Sequence, residues 1–146
     1  MKIIIFLFLA LLSQASMATT SSTKDSEKYS NKQLLKLATE YNKQLPRKYG
    51  NLIVEKVIYL PDSRTFSTTH KLLDKDSSQM KAEMFPFYRH LSKDNIARQL
   101  CAAQARPKSR AFLLKNEAVR IGYQYVDKHN KPLFAFSISN NDCQRR

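Results

Sequence analysis

Three histidines, two cysteines and a row of lysines are the residues of this chain whose types and spacing could do chemistry. His70, His90 and His129 could supply the acid and the base of a hydrolase, since imidazoles titrate near neutral pH and pass protons efficiently. The pattern around them is poor for that purpose. No HxxxH or HExxH pair occurs, so neither a metal site nor any other cofactor is expected. No GxSxG elbow marks an activated serine. Gly50 and Gly122 are the only glycines, too few for a glycine-rich phosphate cradle. The residues therefore point to a non-enzymatic binding or accessory protein with surface histidines. The alternative from another class is a small secreted basic hydrolase or effector, such as a nuclease, using His70, His90 or His129.

The basic residues carry the stronger signal. The chain holds 25 Lys and Arg against 12 Asp and Glu, a net charge of +13. Lys24, Lys28, Lys32 and Lys36 recur every four residues, with Lys43 and Arg47 close to the same line. Like charges at this spacing cost a helix about 0.2–0.5 kcal/mol per pair, so the row does not serve helix stability. A second group is Arg106, Lys108 and Arg110, with Arg145 and Arg146 beyond Cys143. The candidate anion-binding residues are accordingly Lys28, Lys32, Lys36, Arg106, Lys108 and Arg110. Their expected partner is an anionic envelope component or an acidic protein, with nucleic acid not favoured.

An export signal sets the compartment in which these residues work. Lys2 precedes an unbroken apolar run from Ile3 to Leu12, and Ser16-Met17-Ala18 offers small residues for cleavage. The run is shorter than the roughly 20 apolar residues that span a bilayer, so residues 1–18 are expected to be a cleaved signal peptide and not a transmembrane anchor. The mature chain is then periplasmic or secreted. In an oxidising compartment the two cysteines, Cys101 and Cys143, are expected to pair. Closing that loop contributes about 4 kcal/mol in the chain-entropy picture.

The elements that must position these groups follow from periodicity. Residues 19–29 read as a flexible polar leader, and 30–146 as one α+β domain. Ser30 to Gln33 form a capping box, after which Leu34, Leu37, Ala38, Tyr41 and Leu45 make one apolar stripe ended by Pro46. Residues 51–60 and 64–73 read as a hairpin, with Pro61-Asp62-Ser63 as the turn. A helical region from about Met80 to Ala103 is expected to break at Pro86 and restart at Ser92. A short helix follows Ser109, and residues 119–125 and 134–138 alternate as a second hairpin. The expected fold is α+β: about four antiparallel strands in two hairpins, packed by helices on one face and stapled by a single disulfide.

Leu100-Cys101, Arg110, Leu114, Val119, Tyr123, Tyr125, Asp127, Phe136, Ser139, Asp142 and Cys143 together carry a family likeness. In this order they resemble the quorum-sensing-regulated virulence factor family of small exported proteobacterial proteins and, more distantly, the AspS-type pilotins of type II secretion. The resemblance covers about a third of the chain. It implies a bacterial periplasmic or secreted domain without enzymatic activity, serving as an accessory to a secretion system. Pilotins of that type look like lipoproteins with a cysteine at the processing site, whereas here Thr19 directly follows Ala18. The resemblance also implies a glycine before the penultimate strand, where this chain has Glu117-Ala118.

Overall fold

The computed structural model of the chain describes residues 28–106 and 109–145. The signal peptide expected at 1–18, most of the leader at 19–29, and Lys24, Lys108 and Arg146 lie outside the described residues.

Helix α1 (Asn31–Asn42) starts as its capping box requires, with Ser30 Oγ accepting from Gln33 N at 3.3 Å and Gln33 Oε1 accepting from Ser30 N at 2.7 Å. Its apolar stripe buries Leu34 and Ala38, with Leu37, Tyr41 and Leu45 packed against the same core. Tyr29, placed in the leader by composition, is fastened to the domain: its N–H donates to the Glu117 carboxylate and its carbonyl accepts from Arg64.

Five strands make one sheet in the order β1 (Arg47–Tyr49), β2 (Leu52–Leu60), β3 (Thr65–Leu72), β4 (Arg120–Val126) and β5 (Pro132–Ile138). The expected four antiparallel strands are corrected in two respects. Strand β1 is additional: three exposed residues too short to show alternation. Strands β3 and β4 pair in parallel, while the other three pairings are antiparallel. The segment between β3 and β4 carries α2 (Met84–Ala102) and α3 (Arg110–Asn116), long enough to return β4 in the direction of β3. Two hairpins are thus joined through a parallel centre.

Helix α2 runs without a break through Pro86, which overturns the expected restart at Ser92. Pro86 falls in the first turn, where a backbone N–H has no partner within the helix and proline removes nothing. A last short helix, α4 (Asn140–Gln144), follows β5 and contains Cys143. The disulfide Cys101–Cys143 therefore joins α2 to α4, helix to helix, and among the described residues no cysteine is free.

The core lies on one sheet face. Tyr59, Phe66, Ile121 and Ile138 form one cross-strand row, and Val57, Thr68, Tyr123 and Phe136 the next. Leu34 and Ala38 of α1, Ala97 of α2, and Leu113 and Leu114 of α3 close over them, so helices cover one face as expected. Beyond the three residues of β1, strand β2 has a free edge, and Asn42 fills it. Asn42 Nδ2 donates to Val57 O at 2.6 Å and Oδ1 accepts from Val57 N at 2.8 Å, as a neighbouring strand would. At the sheet end, fully buried Asp127 accepts from the backbone N–H groups of Ser77, His129 and Lys131 at 2.8–2.9 Å. It thereby ties the β4–β5 turn to the connection leaving β3. Burial works to raise the Asp127 pKa, but these donors outweigh it and hold the carboxyl well below its ordinary value.

Candidate functional site: a cleft between helix and sheet

The third row of the inner face is where packing is incomplete. His70 of β3 stands beside Tyr125 of β4, which stands beside Phe134 of β5. Ring centroids are 5.0 Å apart for His70 and Tyr125, 5.4 Å for His70 and Tyr123, and 4.7 Å for Tyr125 and Phe134. Over this row α2 presents Ile96, Gln99 and Leu100, with Ala103 just past its end, leaving a cleft of about 580 Å³ that Leu52 and Arg106 complete. Helix α2 leaves this gap because it buries only Ala97 completely, with Ile96 and Leu100 half-buried.

His70 is the chemically unusual group of the cleft. It is 8% exposed, yet neither ring nitrogen has a hydrogen-bond partner among the described residues. Burial pushes its pKa down from 6.5 to about 4, and the positive charge of Arg110 adds to the shift. At neutral pH the ring is therefore uncharged, offering one donor and one acceptor that the fold leaves unused. Burial likewise raises Tyr123, against the opposing pull of Arg110, and raises Tyr125 to about 12, assisted by Tyr123. Both tyrosines stay neutral. The cleft is aromatic and apolar with a polar floor, and Arg106, exposed to solvent, supplies positive charge at its edge.

The remaining candidates are scattered. His90 lies on α2 at 3.3 Å from Asp94, and His129 lies in the β4–β5 turn at 3.4 Å from Asp76. The three histidines thus lie on different elements, and among the described residues no hydrogen bond or ion pair links one to another. Lys28 precedes α1, while Lys32 and Lys36 are exposed on it. Arg110 turns inward: its Nη1 donates to Thr68 Oγ1 at 2.8 Å and its guanidinium lies 5.4 Å from the Tyr41 ring centre. Arg106 and Arg145 line different concavities. Sequence reasoning passed over the cleft because Tyr123 and Tyr125 alternate as core residues do. The one available signal was a histidine in the buried register of a strand.

Fold and cleft define a class: a small α+β domain with a mixed five-stranded sheet, a one-sided helical layer and one helix-to-helix disulfide. Two solved structures share this fold. A Pseudomonas aeruginosa protein designated as secreted aligns with a TM-score of 0.53 at 17% identity, over 77% of this chain and 90% of its own. The type 2 secretion system pilotin EpsS of Vibrio vulnificus aligns with a TM-score of 0.55 at 12% identity, over 77% and 89%. The pilotin AspS of Vibrio cholerae, with a TM-score of 0.47 at 11% identity over 75% and 87%, adds no weight. No protein-family model matches the chain, and no curated protein matches its sequence. Among the described residues no helix is long and apolar enough to cross a membrane.

Proposed function

We propose that the chain is an exported, non-enzymatic accessory protein that receives an acidic, amphipathic segment of an envelope or secretion-machinery protein in the cleft beneath α2. The observation that carries this reading is His70, a neutral imidazole with an unused donor and acceptor on the floor of an apolar cleft. Leaving buried polar atoms unpaired costs the free protein stability, of order 1–3 kcal/mol per group; both ring nitrogens are closed to solvent, so a partner's polar group relieves that cost once the side chains over them shift. The aromatic row and Leu100 suit aliphatic or aromatic anchors, while Arg106 and the net charge of +13 favour a negatively charged segment. The fold shared with a pilotin supports a partner in the secretion machinery. The export signal read at residues 1–18 supports a periplasmic or secreted location.

The test is site-specific photocrosslinking in cells from Gln99, at the cleft, against Thr39 on exposed α1, with the captured segment identified by mass spectrometry. The expected result is an acidic amphipathic segment captured from Gln99 alone, with capture reduced by Arg106→Glu. Equal capture from both positions, or indifference to the charge reversal, would overturn the reading.

A further inference from the structure

A second concavity lies toward the other end of the strands, where β4 starts and β5 finishes, and its chemistry is different. About 410 Å³ in volume, it is lined by Arg89 of α2, Arg120 at the start of β4 and Arg145 after α4, together with the serines of the β5 end. Three elements far apart in sequence thus bring three guanidinium groups to one place. None of the three has an ion-pair partner among the described residues. The one carboxylate that lines the concavity is Asp142, and it is paired with Lys93 and Ser139 of the same lining. Its Oδ1 lies 3.0 Å from Lys93 Nζ, and its Oδ2 accepts from Ser139 N at 2.8 Å and Ser139 Oγ at 2.9 Å. Asp142 therefore cancels Lys93 and leaves the charge of the three arginines uncompensated.

Like charges gathered around one polar hollow repel each other, and a bound anion removes that cost. Guanidinium groups approaching from different directions suit a tetrahedral oxyanion, which accepts several charge-assisted hydrogen bonds at once. We infer that the Arg89, Arg120 and Arg145 hollow binds a phosphate-type oxyanion, carried by a lipid headgroup or free in solution. This site is independent of the cleft under α2 and uses none of its residues. The Lys93–Asp142 pair and the Cys101–Cys143 bond both join α2 to α4, so the hollow is held by the same contacts that close this end of the domain.

Titration calorimetry with inorganic pyrophosphate, and co-sedimentation with phosphatidylglycerol vesicles, test the site on the disulfide-bonded protein. The triple variant Arg89→Gln, Arg120→Gln, Arg145→Gln is compared with a charge-matched control at exposed lysines, Lys48→Gln, Lys56→Gln, Lys115→Gln, each checked for its fold by circular dichroism. The expected result is saturable binding weakened about tenfold or more by the arginine variant and little changed by the control. Arginine-dependent binding of pyrophosphate indicates a free anion as a sufficient ligand, and arginine-dependent binding of vesicles alone indicates a headgroup. Equal weakening in both variants would show diffuse surface attraction and overturn the inference, as would no saturable binding of either probe.

Discussion

At the scale of single residues, His70 makes stability depend on pH. Its pKa is about 4 in the fold and about 6.5 when unfolded, so between these values the unfolded chain binds more protons. Stability is therefore fully present above about pH 6.5 and is lost as the pH falls toward 4. The shift corresponds to about 3 kcal/mol. His70→Phe removes both the titration and the unpaired nitrogens. Its melting temperature is expected to equal or exceed that of the parent at about pH 7, with a smaller loss on acidification to about pH 5. A second residue bears on the backbone. Ala118 sits at φ 51°, in the left-handed region that disfavours a side chain and favours glycine. Replacing it with glycine is expected to raise stability by about 1 kcal/mol, readable in denaturant unfolding.

At the scale of elements, the joints matter more than the helices and strands themselves. Asn42 occupies the edge of β2 and binds α1 to the sheet through both backbone groups of Val57. Asn42→Ala leaves those groups without their partner and is expected to cost about 1–3 kcal/mol in urea unfolding, without change in helix content. The disulfide closes a loop spanning 42 positions of sequence. Replacing both cysteines with alanine is expected to lower stability by about 4 kcal/mol, measured by chemical denaturation against the oxidised parent. Periodicity marked α1, β2, β3, β4 and β5 in the sequence because each buries one face. It could not mark β1 or α4: the residues of β1 are all exposed, and α4 buries none completely. Pro86 misled for a related reason, since a proline in a first turn and a proline in a helix interior look alike until the start of the helix is known.

At the scale of the whole molecule, the positive charge is spread over several surfaces with different surroundings. Lys32 and Lys36 stand on solvent-exposed α1, Arg106 edges the aromatic cleft, and Arg89, Arg120 and Arg145 line a polar hollow. Reversing the α1 pair, Lys32→Glu with Lys36→Glu, is expected to change stability by no more than about 0.5 kcal/mol by thermal melts, because exposed side chains away from special features contribute little. The same change is expected to leave Gln99 crosslinking intact, whereas Arg106→Glu reduces it.

The sequence by itself determined the α+β class, most of the elements, the pairing of Cys101 with Cys143 and the excess of positive charge. These properties depend on residue type and on short-range spacing, which a linear reading contains. The parallel centre of the sheet, the inward turn of Arg110, the cleft over His70 and the gathering of Arg89, Arg120 and Arg145 were decided only by tertiary structure. Each depends on how the α2–α3 crossover returns the chain. Alternation records that a strand has two faces, but not which strand lies beside it or which helix covers it.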